Sequence, residues 1–365
     1  MRPLFIVFSN LGLGGIQKKI VDITNALLKS NPDLPIYILL RRSDFFDLSD
    51  EIKNPNVTIL IYSDWAKVKT PLFFTFFVLY QVWRLFPRAI LSFLSAFSIP
   101  SILAKLVFFW RRIVVIVNED HYTSGIVPHL RYSTLNHFGI QFLYPHADLI
   151  ISPTRSAKHD LVVHYGVPAD KVKLVPNWSR YAYNKIKNTR KIYDLIYAGR
   201  LSKTKRVHLL LKGVARIKKL KKDISLSILG DGEERNALES LAGKLGIVDN
   251  VIFMGAKRDV SVYLVKSKIF VCYSQFGAEG FPLAILEAMA MGLPVLTYKF
   301  AGATDVIANG KNGYLFHTMD EFVKKALRLL VYPRERQAIA HMAKKEAKLH
   351  YSVSNVCEYL APLGV

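Results

Sequence analysis

Short apolar runs alternate with longer stretches of helical periodicity along most of the chain. Pro3–Phe8 reads as a first buried strand, a glycine-rich turn follows at Asn10–Gln17, and a helical pattern runs from about Ile16 to Leu28. Ile36–Leu40, Ala89–Leu94, Ile113–Val117, Ala147–Ser152 and Val172–Val175 read as further strands, all rich in Ile, Leu and Val. A polar, basic stretch without periodicity, Ser179–Lys191, interrupts the pattern. It then restarts with strands at Tyr193–Ala198, Ser225–Leu229, Val251–Met254, Ile269–Tyr273 and Val295–Thr297, separated by helical segments. Strand and helix in alternation predict an α/β class with parallel sheets, and the restart predicts two such domains. The expected division is residues 1–178, a linker at 179–191, a second domain at 192–340 and a closing helical segment at 341–365.

Composition narrows the picture. The chain is 51% hydrophobic and 21% charged, which is globular composition, and 365 residues suffice for two α/β domains. Its two cysteines, Cys272 and Cys357, point to no disulfide framework and to a reducing, cytoplasmic compartment. The run Pro3–Phe8 is short for a signal-peptide core and has no small-residue cleavage site after it. The formal net charge is +22, so anionic partners are expected. No helix-turn-helix, zinc finger or RNA-binding aromatic motif supports nucleic acid, which leaves phosphorylated substrates or an anionic membrane.

Residues 65–112 carry three of the four tryptophans. Pro71–Trp83 and Ala89–Ala104 are uncharged, but neither reaches the length of a transmembrane helix. Arg84, Arg88, Lys105, Arg111 and Arg112 interrupt or flank them. The segment reads either as core helices around a strand or as a surface dipping into lipid headgroups, and the two overlap.

The candidate chemistry centres on Ser274–Leu296. Pro282 suits the first turn of a helix over Leu283–Met291, and Gly292 with Pro294 ends it. Gly280 and Phe281 thus lead into a helix N-terminus, whose free N–H groups and dipole favour a phosphate. Glu279 and Glu287 flank that end, and a carboxylate accepts from sugar hydroxyls. Arg200 and Lys205 lie in another strand-to-helix loop, offering a fork and a point charge to a diphosphate. Gly230 begins a third, Gly-Asp-Gly-Glu-Glu-Arg. Near the N-terminus, Gly12, Gly14 and Gly15 follow the first strand, but Gln17 and Arg41-Arg42 stand where a dinucleotide fingerprint needs a small residue and an acid. NAD is therefore not expected. Asn118-Glu-Asp-His121 ends a strand, where open sheets place ligands, and His129, Arg131, Asn136 and His137 form a second polar cluster without assigned chemistry.

Glu279-Gly-Phe-Pro-Leu-Ala-Ile-Leu-Glu287 resembles the E-x7-E signature of the family-4 retaining glycosyltransferases of GT-B fold. The Gly199-Arg200…Lys205 segment, Gly230-Asp-Gly…Arg235 and Thr304-Asp-Val-Ile307 with Gly310 and Gly313 resemble further motifs of that family. The resemblance covers residues 174–330 closely and the first half loosely. It implies two Rossmann-like domains facing across a cleft, with the last helix crossing back to the first. It implies sugar transfer from a nucleoside diphosphate to a glycan or lipid-linked hydroxyl, in polysaccharide or glycolipid assembly on the cytoplasmic face of the membrane. Arg200 and Lys205 would neutralise the diphosphate and Glu279 would bind the sugar. Glu287 would hold the ribose, while Gly14, Gly15, His121, Gly230 and Gly280–Leu283 would line the donor; for the histidine place, Asp120 is an equal candidate. With no Asp-x-Asp in the chain, neither a metal nor another cofactor is expected. Two alternatives share the fold: a nucleotide-sugar epimerase, which the E-x7-E spacing disfavours, and a non-catalytic partner subunit.

Overall fold

A computed structural model describes residues 1–42, 48–64, 70–129, 133–183, 189–275, 280–352 and 355–356, the side chains of Asp64 and His129 excepted. The chain divides into two units, Met1–Pro176 together with Ser354–Val365, and Asn177–Val353.

The first unit begins with β1 (Leu4–Phe8), α1 (Gly15–Ser30), β2 (Ile36–Leu40) and β3 (Val57–Ile61). It continues through α2 (Pro71–Leu85), β4 (Ala89–Phe93), α3 (Ser95–Val107) and β5 (Val114–Asn118). The short α4 (Thr123–Ile126), α5 (Ser133–Leu143), β6 (Leu149–Ser152), α6 (Arg155–Tyr165) and β7 (Val172–Leu174) complete it. Its sheet has the order β3-β2-β1-β4-β5-β6-β7, every pair parallel. β1 and β4 are buried at every position, as strands covered on both faces must be. The edge strand β3 is half exposed, although its sequence, Val-Thr-Ile-Leu-Ile, is as apolar as the buried strands. α6 shows how local chemistry bounds an element: Thr154 Oγ1 accepts the Ala157 N–H at 3.0 Å, and Gly166 closes the other end at φ 67°.

The uncharged helix α2 is not core all round. Phe74, Phe77, Val78, Gln81 and Val82 are buried, while Leu72, Phe73, Phe76, Tyr80 and Trp83 are exposed. Among the described residues no helix is long and apolar enough to cross a membrane.

The second unit runs β8 (Tyr193–Ala198), α7 (Val207–Lys218), β9 (Leu226–Leu229), α8 (Arg235–Lys244), β10 (Val251–Gly255) and α9 (Ser261–Leu264). Then come β11 (Ser267–Cys272), α10 (Leu283–Ala290), β12 (Val295–Tyr298), α11 (Ala301–Val306), β13 (Gly313–Phe316), α12 (Met319–Val331) and α13 (Pro333–His350). The sheet order is β10-β9-β8-β11-β12-β13, again all parallel. Ser179 and Tyr181, in the stretch read from sequence as a linker, pack on this unit: Ser179 N–H donates to Tyr351 O at 2.8 Å and Tyr181 lies against its core. Throughout, α13 belongs to the second unit.

In each sheet the chain moves outward one way from its first strand and then returns to that strand's other side. The switch points lie between β1 and β4 and between β8 and β11. The loops leaving those strands diverge there and open a crevice at the carboxyl edge.

Two glycines test how tightly that edge is built. A Cβ on Gly230 would stand 1.9 Å from Gly199 O, and its φ of 138° suits glycine alone. A Cβ on Gly243, inside α8, would meet nothing within 4 Å. Gly230→Ala is expected to cost about 3 kcal/mol, and Gly243→Ala to add about 0.5–1 kcal/mol. Urea unfolding of both variants checks this; equal effects would mean the carboxyl edge tolerates crowding.

Candidate functional site

In the second unit the loop after β8 is tied to its neighbour by backbone. Gly199 N–H donates to Leu229 O and Leu201 N–H to Asp231 O, each at 2.9 Å, and Glu234 N–H returns to Leu201 O at 3.0 Å. The buried Leu201 side chain pins the turn, and Tyr197 Oη donates to Arg200 O at 3.0 Å. The following turn, Lys203–Lys205, ends at Arg206 in the left-handed conformation (φ 49°), from which α7 starts. This brings Lys205 into electrostatic range of Arg200 and of Cys272 at the end of β11. Burial pushes the Lys205 ammonium below its usual range; Cys272 opposes the shift and the Arg200 cation adds to it. Two like charges held together, one of them poorly solvated, favour an anion between them.

Across the switch point, Gln275 N–H donates to Thr204 O at 2.8 Å, joining the loop after β11 to the Lys203–Lys205 turn. Glu279 lies outside the described residues. Gly280, Phe281 and Pro282 are buried. Pro282 stands just before α10, at the N-cap, not in the first turn, and no side chain caps the helix. The Leu283 and Ala284 N–H groups therefore head the helix without a side-chain acceptor at the N-cap. Gly302 allows the approach: a Cβ there would sit 2.1 Å from Gly280 O. Leu283 and Glu287 are half-buried on α10. Burial first, then the Glu287 and Asp259 charges, hold the Tyr181 phenol well above its ordinary value, and its hydroxyl donates to Asp259 Oδ1 at 3.1 Å. Gly230, expected at the donor, has its N–H bonded to Gly255 O at 2.9 Å and its Cα against Gly199; it shapes the edge through packing.

In the first unit, the Asn10 side-chain oxygen accepts the Gly12 N–H at 3.1 Å and the Gln17 amide at 3.0 Å. Gly14 is the N-cap of α1, with no side-chain cap, and Gly15 is its first residue; a Cβ on Gly14 would stand 2.2 Å from Gln17 Oε1. Lys19, one turn on, is buried and donates to Asn118 Oδ1 at 2.9 Å and Asp120 Oδ1 at 3.0 Å. Burial lowers the Lys19 pKa, and Asp120 offsets part of the shift. Of the two candidates at this strand end, Asp120 is thus engaged by Lys19, while His121 lines a pocket of about 250 Å³ with Arg41, Ser95, Glu119 and Thr123. Glu119 is buried, and Tyr144 Oη donates to its Oε2 at 2.7 Å. Burial raises its pKa to about 8 against the Tyr144 hydrogen bond, and the Asp120 and Asp160 charges add to the rise. In the second polar cluster, Asn136 accepts from Ser95 Oγ at 3.2 Å and the His137 ring packs on Tyr165 at 5.1 Å. Arg131 and the His129 side chain are outside the described residues.

A family model described as glycosyl transferases group 1 matches residues 183–346, and one described as Glycosyltransferase Family 4 matches residues 13–178. The chain belongs to the family-4 glycosyltransferases. Its fold is GT-B: Anabaena HepE in complex with UDP and glucose aligns over 100% of this chain and 99% of its own, at a TM-score of 0.80 and 16% identity. The lipopolysaccharide outer core galactosyltransferase WaaB aligns over the same shares at a TM-score of 0.74 and 20% identity. In sequence, an uncharacterized glycosyltransferase of Methanocaldococcus jannaschii is 30% identical over 49% of this chain and 45% of its own. A Campylobacter jejuni N-acetylgalactosaminyltransferase, named for a diphospho-undecaprenol acceptor, is 29% identical over 59% and 60%. The chain spans about half the length of the sequence relatives it matches.

Sequence reading of this family-4 chain missed Lys19, Tyr144 and Tyr181, and named Glu119 only within the polar strand end. Lys19 carried a signal, a lysine on the apolar stripe of Ile16, Ile20, Ile23 and Leu27. The pairing of Glu119 with Tyr144 carried none, the two being 25 positions apart. Among the described residues no group of three or more His, Cys, Asp or Glu is placed to hold a metal ion.

Glu119 gives a pH test. Its carboxyl, ordinarily near 4.5, is held at about 8 in the fold, so between these values the native state keeps a proton that the unfolded chain releases. Its contribution is complete below about 4.5 and is lost as the pH rises toward 8, by up to about 1.4 kcal/mol per pH unit. Glu119→Gln is expected to flatten that slope in urea midpoints measured from pH 5 to 8; an unchanged slope would place the raised pKa elsewhere.

Proposed function

We propose that this chain moves a sugar from a nucleoside diphosphate to a hydroxyl of a glycan or lipid-linked acceptor, with retention and without a metal ion. The observation that carries the reading is the Arg200–Lys205 pair in the loop after β8, at the switch point of the second sheet, bonded through Thr204 to Gln275 on the chain that leads to the uncapped start of α10. In the reaction the bond from the anomeric carbon to the diphosphate oxygen breaks and a bond to the acceptor oxygen forms on the same face. The acceptor proton passes to the departing diphosphate. Negative charge grows on that diphosphate, where Arg200, Lys205 and the N–H groups of Leu283 and Ala284 stabilise it. Glu279 binds the sugar hydroxyls and Glu287 the ribose; Gly14, Gly15 and His121 complete the donor's surroundings by resemblance. HepE is described with UDP and with UDP-glucose, which makes UDP the first nucleotide to test. We place the work at the cytoplasmic face of an anionic membrane, in polysaccharide or glycolipid assembly. The +22 charge supports this, as do the acceptor in the Campylobacter enzyme's name and WaaB's description.

UDP at a hundred times its dissociation constant is expected to stabilise the protein by about 2.7 kcal/mol, and Arg200→Ala and Lys205→Ala to abolish the effect. No response to UDP, GDP, ADP or CDP would overturn the donor class. In transfer assays Lys205→Ala is expected to lower kcat about 10²- to 10³-fold, with Glu279→Ala also sharply impaired and EDTA without effect. Activity lost in EDTA and restored by Mg²⁺ or Mn²⁺ would overturn the metal-free mechanism.

A further inference from the structure

The first unit carries large apolar side chains outward on three neighbouring helices: α2 packs against α3, and α3 against α5. On α2 these are Leu72, Phe73, Phe76, Tyr80 and Trp83, with Phe76 and Trp83 each 58% exposed. Past the end of α3, Phe109 and Trp110 are 74% and 61% exposed, and their rings meet edge to face at 5.2 Å. On α5, Phe138 and the 62%-exposed Phe142 stack at 6.0 Å.

Arginines bind this aromatic surface together where α2 ends. Arg111 donates to the Val82 and Trp83 carbonyls at 3.0 and 2.8 Å, satisfying the helix terminus. Its guanidinium and that of Arg2 lie 4.5 and 3.9 Å from the Phe86 ring centre. Arg84 and Arg112 are exposed beside them. No aspartate or glutamate occurs between Asp64 and Glu119.

We propose that this face docks on the headgroup region of an anionic bilayer, with the Trp83, Phe109 and Trp110 rings inserted and Arg84 and Arg112 on lipid phosphates. Indole rings and guanidinium groups are the side chains an interface accommodates, one end apolar and the other wet. Charge complementarity selects the occupant. A second copy paired across a twofold axis would set these arginines against their own images with no acid among them. A nucleic acid would leave Leu72, Leu106 and Val107 without partners. At 15 residues α2 is too short to span the hydrocarbon, so it lies along the surface. The proposal rests on the membrane setting given above and adds the surface that meets it.

The test uses the full chain without donor or acceptor, so its result is independent of sugar transfer. Wild type is expected to sediment with phosphatidylcholine vesicles containing phosphatidylglycerol and to stay in solution with phosphatidylcholine alone. Brominated acyl chains in the anionic vesicles should quench its tryptophan fluorescence. Trp83→Ser/Phe109→Ser/Trp110→Ser should weaken binding tenfold or more, and Arg84→Glu/Arg112→Glu should remove the preference for anionic lipid, by roughly a factor of five for each unit of charge near the surface. Both variants should keep the wild-type response to UDP. Wild type remaining in solution with anionic vesicles would overturn the proposal, as would no quenching by bromolipid, which needs no variant to fold. A concentration-dependent dimer that the triple variant loses would also overturn it and name a second copy as the occupant.

Discussion

The candidate site depends on a contact between two backbones. Gly199 and Gly230 lie against one another so closely that a single carbon atom on Gly230 would collide with the Gly199 carbonyl. That approach brings three backbone hydrogen bonds between the loops after β8 and β9, and those bonds hold Arg200 in place while the chain turns into Lys203–Lys205. Without the tether, two repelling cations would drift apart into solvent. With it, Lys205 stays within electrostatic range of Arg200. Donors fixed in advance stabilise developing charge without reorganising as it develops. Gly302 works the same way beneath Gly280, so both sides of the switch point rest on glycines chosen for closeness.

The same edge shows what a sequence can and cannot reveal. Tyr193–Ala198 and Ile36–Leu40 were legible to the residue, because strands buried on both faces are written as apolar runs. Val57–Ile61 was not read as a strand although Val-Thr-Ile-Leu-Ile carries the same apolar signal; its half-solvated edge position shows only in the structure. Arg200, Lys205, the Gly280–Leu283 turn and the two glutamates were legible as a motif. The motif said nothing of Tyr181, which sits in a stretch that read as linker and reaches Asp259, 78 positions away. The helix over residues 283–291 was legible, yet Pro282 stands one step outside it, since the N-cap position is fixed by packing against α11. In the first unit, Lys19 on an apolar stripe announced a buried partner but not which one; Asp120 lies 101 positions on. Local pattern specifies elements, and long-range polar pairing is specified only by the assembled sheet.

In the first unit a few side chains stand against the usual placement. Lys19, Glu119 and Asp120 are buried near the carboxyl edge of the sheet, while Trp83, Phe109 and Trp110 are exposed on the helix layer. The inner groups are paired, Lys19 with Asp120 and Glu119 with Tyr144, so their burial is tolerable and ties α1 and the segment after α5 to the end of β5. The outer rings gain nothing from water, and clustered exposed apolar surface marks a place of contact. The direction of α2 links the two features. It starts after β3 and ends just before β4, so it runs from the carboxyl edge of the sheet to the amino edge, about 22 Å at 1.5 Å per residue. Leu72 and Phe73 therefore lie toward the loops that carry Gly14 and His121, and Trp83 toward the arginine cluster. Under the membrane proposal, a bilayer meeting the outer face of α2 along its length would run from beside the carboxyl edge of this sheet at one end to the arginine cluster at the other.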